Sequence, residues 1–209
     1  MKTHKEIFTE LFNTNDWGSA ESRSGMGSTL EFTENTRKML PILWESYGIK
    51  RILDAACGDF NWMQEIVGSL DYYKGTDIVE GIIDLNKEQY QQPDKIEFEY
   101  NDIINDFKSN GQFDAIIAKD VLVHLPDDVI LKVLDNFKNS GIKYMFLTHF
   151  TNMEDNWNVA NYGDWRPINF TGRPFYMEAP LEIISEKIET YEWANEMHND
   201  KTLSLWEIN

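Results

Sequence analysis

Residues 50–150 alternate between short apolar stretches and amphipathic stretches, and this alternation limits the possible folds more than any other feature of the chain. The apolar stretches are strand candidates, and they read RILDAA, YYKGTDI, IEFEYND, FDAIIAKD and IKYMFLTHF. The helix candidates between them read WMQEIVGSL, VEGIIDLNKEQYQ and PDDVILKVLDNFKNSG. Because strands that alternate with helices form parallel sheets with both faces covered, we predict an α/β fold with a mostly parallel sheet and helices on both faces.

Polar residues stand at the ends of these strand candidates. In open parallel sheets, ligands bind in the crevice outside the carboxyl ends of the strands. We therefore expect one ligand site at this edge of the sheet. The residues that fall there are Asp54, Asp77, Asp102, Asp120, Thr148 and His149.

We predict a single domain over residues 1–209, with the sheet core at residues 50–150. Residues 1–48 have helical patterns and are predicted to form a lid on the core. Residues 151–180 are long for a loop, rich in Asn, Gly and Pro, and too aromatic to be typical of disorder, which predicts a functional loop for the substrate. Residues 181–209 supply closing elements, in which KTLSLWEI alternates as a late strand would.

Two helices are predicted in the lid. The stretch IFTELF places its apolar residues on one face of the first helix. Ser28 and Glu31 have the spacing of a capping box, which predicts that the second helix begins near Thr29. Pro41 is expected to kink or divide this helix, and Gly48 is expected to end it.

The turn in RILDAACGDFNW contains one glycine, Gly58, and begins with an acid, Asp54. A glycine lets the chain turn tightly and brings a ligand close to backbone amides. A nicotinamide-binding enzyme normally has G-x-G-x-x-G at this point, and the chain lacks it. The acid suits a ligand with an amine or hydroxyl groups, and Asp77 follows at close to the ~20 residues expected for a ribose-binding acid.

The stretch ILDAACGDF resembles motif I of the class I S-adenosylmethionine-dependent methyltransferases, in which an acid stands two positions before the first of two or three alternating glycines. Asp77 stands where this family has its ribose-binding acid, and Asp102, in YNDI, stands where the adenine amine is read. Ala56 and Phe60 depart from the motif, because they replace its first and last glycines. The resemblance implies a Rossmann-like class I methyltransferase fold with S-adenosylmethionine as the cofactor.

The resemblance also implies a set of cofactor-binding residues. Arg23 is included because SRSGMGS resembles an amino-terminal lid over the cofactor, where an arginine can bind the methionine carboxylate. Cys57 is expected to pack under the turn as a small side chain rather than to react. The implied set is Arg23, Asp54, Ala55, Cys57, Gly58, Asp77, Ile78, Asn101, Asp102, Ile103 and Lys119.

A narrower resemblance covers nearly the whole chain. It is carried by GMGSTLEFTENTRKMLP, DAACGDFNWM, GTDIVEGII, KDVLVHL and GDWRPINFTGRPF. Together these stretches resemble small bacterial methyltransferases found with polysaccharide genes, in particular those associated with the O-methyl phosphoramidate modification of capsules. This resemblance implies a small anionic acceptor, such as a phosphoramidate or a nucleotide-linked precursor in capsular polysaccharide biosynthesis.

The stretch KDVLVHLP follows the fourth strand candidate and contains two predicted catalytic residues, Asp120 and His124. The two are four positions apart, so on a helical turn they share one face. We expect His124 to act as a base or hydrogen-bond partner that Asp120 orients. The alternative is a capping aspartate and a histidine satisfied within the fold. A base is required if the acceptor is a sugar hydroxyl, but not if it is an anionic phosphoramidate oxygen.

Five residues are predicted to bind the acceptor: His149, Tyr162, Arg166, Arg173 and Tyr176. In so acidic a chain, two arginines among aromatic residues favour recognition of a phosphate, a carboxylate or a nucleotide base. The alternative for the arginines is internal pairing with Asp164 or Glu178, and the alternative for His149 is a place in the core.

The formal net charge of -17 limits the possible partners. It repels nucleic acid polymers and anionic membranes, so a small anionic molecule met by local cations is the expected partner of a monomer or homodimer. The lack of an Asn-Pro-Pro-Tyr-like tetrapeptide also argues against methylation of DNA bases. Scattered histidines predict no metal site, and a single cysteine with no apolar leader predicts a cytoplasmic protein.

A non-catalytic module that binds the cofactor stays open as an alternative, because Ala56 and Phe60 depart from the family motif.

Overall fold

The computed structural model of the protein describes residues 2–17, 19–109, 112–186 and 200–208. Within these residues, seven strands form one sheet: β1 Arg51–Ala55, β2 Tyr72–Asp77, β3 Ile96–Tyr100, β4 Ala115–Ala118, β5 Tyr144–Phe150, β6 Glu182–Ser185 and β7 Lys201–Glu207. The described α-helices are α1 His4–Thr14, α2 Glu34–Tyr47, α3 Glu80–Tyr90 and α4 Asp127–Lys138. The predicted α/β fold is therefore confirmed, and each of the five strand candidates forms a strand.

The strand order is β3-β2-β1-β4-β5-β7-β6. Strands β1 to β5 are parallel to one another, whereas β7 runs antiparallel between β5 and β6. After β3 the chain returns to the other side of β1, so the order reverses between β1 and β4. This is the point at which open α/β sheets form their ligand crevice.

Alternating side chains divide the core into two layers, one on each face of the sheet. Leu53 packs in the layer that contains apolar residues of α1 and α4. Its neighbour Ile52 packs in the opposite layer, with α2. Because successive strand residues point to opposite faces, buried parallel strands must be apolar on both sides, as the strand candidates are.

Two expectations for local structure are wrong. WMQEIVGSL forms two short 3-10 helices, Met63–Glu65 and Val67–Ser69, rather than an α-helix, since Gly68 and two β-branched residues disfavour a longer helix there. The second lid helix begins at Glu34 because Thr29 and Thr33 hydrogen-bond within the preceding turns. Pro41 lies inside this helix without dividing it. The expected stop at Gly48 is confirmed, with a left-handed backbone.

The loop of residues 151–180 packs on the sheet through buried apolar side chains, among them Ile168 and Phe170. The amide of Phe150 at the end of β5 donates to the carbonyl of Ile168 at 2.9 Å, which holds the loop to the sheet edge. Of the described helices, none has the length and apolar character needed to cross a membrane.

Candidate functional site

A cavity opens at the carboxyl ends of β1, β2 and β4. The amino-terminal part of the chain covers it with the side chains of His4 and Phe8, in α1, and of Trp17, Ser24 and Ser28. The empty space in it, including the open solvent at its mouth, is about 980 Å³. The predicted site residues that line it are Asp54, Cys57, Gly58, Asp77, Ile78, Asn101, Asp102, Ile103, Lys119, Asp120 and His124.

The turn after β1 forms the floor of this cavity. The amides of Ala56 and Cys57 both donate to the carbonyl of Thr76, at 2.9 and 2.8 Å, which ties the turn to β2. Gly58 has a positive φ of 55°, and a Cβ atom there would lie 2.1 Å from the hydroxyl oxygen of Ser24. Only glycine therefore lets the segment that carries Ser24 pack directly on the turn.

Ala56 and Phe60 keep a left-handed backbone although neither is glycine. Their φ angles are 83° and 61°. This conformation costs an L-residue about 1–2 kcal/mol. The Phe60 ring offsets that cost by packing on Tyr73, Tyr90 and Phe98, with ring centroids 5.1, 5.2 and 5.1 Å away. The chain thus keeps a left-handed turn in which tight packing takes the place of two glycines.

Glycine substitutions at these two positions should have opposite effects on stability. Ala56→Gly relieves backbone strain and is expected to raise the free energy of unfolding by about 0.5–1 kcal/mol. Phe60→Gly relieves similar strain but removes the buried ring, so a net loss of about 3 kcal/mol is expected. Urea denaturation of both variants measures the difference. Changes of the same sign would contradict this account of the turn.

Two buried carboxylates, Asp54 and Asp77, stand on either side of the turn. The Tyr73 hydroxyl donates to Asp54 Oδ2 at 2.8 Å, and burial raises the pKa of Asp54 to about 7. Asp77 accepts from the amides of Gly58 at 3.1 Å and Val79 at 2.9 Å. Burial raises the pKa of Asp77 to about 6 against the lowering effect of these amides. Both groups suit hydrogen-bond donors of a ligand, such as hydroxyl or ammonium groups.

Asp102 lies beyond β3 and joins the cavity to α1. Its carboxylate accepts from the amides of Ile104 at 2.9 Å and Asn105 at 3.2 Å, and it contacts His4 Nε2 at 3.0 Å. Burial raises the pKa of Asp102, but these hydrogen bonds lower it by more, so the pKa lies below its ordinary value. The predicted adenine-reading acid therefore lies in the cavity with a histidine of the lid beside it.

Four charged side chains form a buried cluster at the opposite end of the cavity, and we call Lys119, Asp120, Glu186 and Lys201 the charge cluster. Asp120 Oδ2 accepts from Lys119 Nζ at 2.6 Å and from Lys201 Nζ at 2.8 Å. Each lysine Nζ also lies 3.3 Å from a Glu186 carboxylate oxygen. Burial raises the pKa of Asp120, but the two lysines lower it by more and hold it far below its ordinary value.

These contacts change the role expected of Asp120. Its other oxygen, Oδ1, accepts from the Thr148 hydroxyl at 3.1 Å, so both oxygens are already bound. In the described part of the chain, no hydrogen bond joins Asp120 to His124. Asp120 therefore acts on His124 through its charge, and it does not orient the ring by a direct contact.

His124 lies in the wall at this end of the cavity and has one ring nitrogen without a partner in the described part of the chain. Its Nδ1 atom is buried and has no hydrogen-bond partner among the described residues. Burial lowers the pKa of His124, against the raising effect of Asp120 and of the Gly163 and Asp164 backbone, so the imidazole is neutral at pH 7. The Trp17 ring lies 5.8 Å from the imidazole, between centroids. A neutral imidazole with an unpaired nitrogen can accept a proton.

Arg166 lies in the core rather than in the cavity, which corrects the expectation that it binds the acceptor. Its side chain has no exposed surface. The guanidinium donates to the Leu125 carbonyl at 2.7 Å and to the Asp127 carboxylate. Internal pairing is therefore the role that the structure gives this arginine, although its partner is Asp127 and not Asp164 or Glu178.

Arg173, Tyr176 and His149 also lie outside the cavity lining. Arg173 is exposed and donates through Nε to the Tyr176 hydroxyl at 3.0 Å. His149 is buried, its Nδ1 accepts from the Phe170 amide at 3.2 Å, and burial lowers its pKa to about 4. These positions do not support the expected contact of the three side chains with an acceptor in this cavity.

Three further predicted residues lie beside the cavity. Arg23 is exposed, with its guanidinium 5.3 Å from the centroid of the Phe12 ring, and Ala55 is buried in β1. The Tyr162 ring lies 5.4 Å from that of His4, between centroids, so it covers a residue of the cavity wall.

Sequence reasoning missed several residues that build the site. His4, Trp17 and Trp62 line the cavity, and Glu186 and Lys201 complete the charge cluster. Trp62 follows the motif I turn directly, so its position could have indicated its role. The others reach the site through packing between distant parts of the chain. No group of three or more His, Cys, Asp and Glu residues in the described ranges is placed to hold a metal ion.

Comparison with known proteins shows what this chain is similar to. Residues 52–140 match the family model described as a methyltransferase domain. The N-methyltransferase NodS from Bradyrhizobium japonicum WM9, solved with S-adenosyl-L-homocysteine, is similar in structure at 14% identity and a TM-score of 0.67, over 99% of each chain. Magnesium protoporphyrin IX methyltransferase (ChlM) from Synechocystis PCC 6803, solved with SAM, is similar at 11% identity and a TM-score of 0.66, over 100% of this chain and 99% of that one. No curated protein matches the sequence.

The fold is the Rossmann-like fold of class I methyltransferases. The family match lies in the sheet core, and the two similar structures were solved with S-adenosyl-L-homocysteine and with SAM, so S-adenosylmethionine is the group to compare with the cavity. The cavity fits that group, because Asp54, Asp77 and Asp102 stand apart along one wall that also contains apolar residues. Carboxylates so placed can meet the hydroxyl, amine and ammonium groups of the cofactor.

Proposed function

We propose that this protein transfers a methyl group to a small-molecule acceptor and that His124 accepts the proton which the acceptor loses. The observation that supports this proposal most directly is that His124, in the wall of the cavity, is neutral and has a buried Nδ1 atom without a hydrogen-bond partner among the residues described. S-adenosylmethionine supplies a methyl group on a positively charged sulfur, which is open to attack by a nucleophile. The protein then has to hold the nucleophile in line and provide a site for its proton.

The acidic wall of the cavity is assigned to the cofactor. Asp77, which is tied to the motif I turn through the Gly58 amide, would hold the ribose hydroxyls, and Asp54 would meet the ammonium end. Asp102 and the residues beside it would hold the adenine. This leaves the end formed by Trp17, His124 and the charge cluster for the acceptor.

The narrower proposal is that the acceptor is a small anion, such as a phosphoramidate or nucleotide-linked precursor of capsular polysaccharide. Its support is the resemblance of five sequence stretches to methyltransferases of that modification. Arg166 and Arg173, which first favoured an anion, lie elsewhere, and the cation in the cavity wall is Lys119. A hydroxyl group on an anionic, nucleotide-linked sugar agrees with the resemblance and also gives His124 a proton to accept.

A panel of acceptors with S-adenosylmethionine labelled in the methyl group tests the proposal. The panel contains sugar nucleotides, neutral sugars and phosphoramidates, and the expected result is label transfer to a sugar nucleotide hydroxyl. Transfer to a phosphoramidate, with little loss in His124→Gln, would favour the alternative in which the nucleophile is already anionic. Cofactor binding without transfer to any acceptor would instead favour a non-catalytic module.

A further inference from the structure

Lys201 belongs to the charge cluster, and neither the fold nor the family match explains why a second lysine is there. Lys201 is the first residue of β7, and its side chain reaches the cluster with only 12% of its surface exposed. We propose that Lys201 is a positioning residue of the methyl-transfer site, which holds the Asp120 carboxylate and thereby keeps His124 neutral and able to accept a proton. The inference rests on the proposed function, because it concerns the charge state of the same site.

The hydrogen bonds of Lys119 show why a second lysine is needed. Lys119 donates to the Gly27 carbonyl at 2.8 Å and to Asp120 Oδ2 at 2.6 Å, and its Nζ also lies 3.3 Å from Glu186 Oε1. One lysine would thus face two carboxylates. Lys201 brings the cluster to two positive and two negative charges. Unbalanced charge in a buried site is costly, so this balance stabilises all four ionised groups.

The lid covers the cluster at close range. A Cβ atom on Gly27 would lie 2.5 Å from Asp120 Oδ2 and 3.3 Å from Lys201 Nζ, so only glycine permits this approach. Gly27 therefore covers the Asp120 carboxylate on this side, and 23% of the Asp120 side chain stays exposed. Charges that are poorly screened by water act strongly on their neighbours, and His124 is such a neighbour.

The groups that act on His124 oppose one another. Asp120 favours the protonated imidazole, as do the backbone groups of Gly163 and Asp164. Burial and the positive charge of Lys201 favour the neutral form. Asp120 and Glu186 in turn raise the pKa of Lys201, so that this lysine stays charged. If Lys201 were neutral, Asp120 would be left with one cation, and His124 would take up a proton closer to neutral pH.

NMR titration of the His124 ring in the full chain tests this inference without any acceptor. His124 is assigned as the signal lost in His124→Gln. In Lys201→Met we expect the pKa of His124 to rise by about one unit, the size of effect that a nearby charge has. Lys143→Met is the matched control. Lys143 also pairs with a residue of β7, Glu207, but its side chain is 59% exposed. An unchanged His124 titration in a folded Lys201→Met protein would overturn the inference.

A second variant covers the case in which Lys201→Met does not fold. Lys201→Met combined with Glu186→Gln leaves one positive and one negative charge in the cluster. Asp120 still loses one of its two lysines, so the same upward shift in the pKa of His124 is expected, and no shift would again contradict the inference. Because the titration requires no methyl transfer, its failure is distinct from failure of the proposed function, which the acceptor panel reports.

Discussion

Replacing His124 with glutamine is expected to lower kcat for methyl transfer about 10²- to 10⁴-fold, the usual effect of losing a general base. Glutamine keeps a polar side chain at the position but cannot take up a proton. The acceptor for this measurement is the one that the labelled panel identifies. Binding of S-adenosylhomocysteine should stay close to the wild-type value, since the carboxylates assigned to the cofactor are unchanged.

The pH dependence provides an independent check on the same residue. His124 acts only in its neutral form, and burial lowers its pKa below the ordinary histidine value. In the wild type, kcat measured with the cofactor and the acceptor both saturating should therefore rise with pH through this lowered pKa and be level by neutral pH. The rise should be absent in His124→Gln. A variant that keeps near wild-type kcat and the same pH profile would rule out His124 as the base.

Replacing Arg166 with methionine is expected to lower the free energy of unfolding by about 3 kcal/mol, the lower end of the range for breaking a buried ion pair. The substitution leaves the Asp127 carboxylate and the Leu125 carbonyl without their guanidinium partner. Asp127 keeps some contact with water, because its side chain is 20% exposed. Equilibrium denaturation in urea measures the loss.

Arg173→Met is the matched control for this prediction. Arg173 lies in the same loop but is exposed, so its replacement should leave the free energy of unfolding close to the wild-type value. If Arg166→Met were as stable as this control and instead weakened binding of an anionic acceptor, the buried role of Arg166 would be wrong. The original expectation of a substrate-binding arginine would then be restored.

The sheet and one wall of the site could be predicted because they depend on local patterns. A buried parallel strand must be apolar on both faces, so the five strand candidates are distinct in the sequence. Residues at the carboxyl end of such a strand, or just beyond it, lie at the ligand edge of the sheet, which is how Asp54, Asp77 and Asp102 were found. The same rule placed Asp120 and His124 in the cavity wall, but it could not show that both oxygens of Asp120 are already bound.

Contacts between distant segments could not be predicted in this way. His4 meets Asp102 because α1 folds back over β3, and Lys201 meets Asp120 because β7 lies beside β5. No sequence pattern gives either distance. Arg166 shows a related limit, since an arginine among aromatic residues has the same local sequence whether its partner is a ligand or a buried carboxylate. Its depth in the core decides between the two.

The most direct test of the central claim is a calorimetric titration of the protein with S-adenosylhomocysteine. The matched variants are Asp77→Ala, in the cavity wall, and Asp84→Ala, on the exposed face of α3. We expect micromolar binding, about -8 kcal/mol, by the wild type and by Asp84→Ala, with loss of binding in Asp77→Ala and no binding of NADH. A folded wild-type protein that does not bind S-adenosylhomocysteine, or an Asp77→Ala variant that binds it equally well, would contradict the assignment of this cavity to the cofactor.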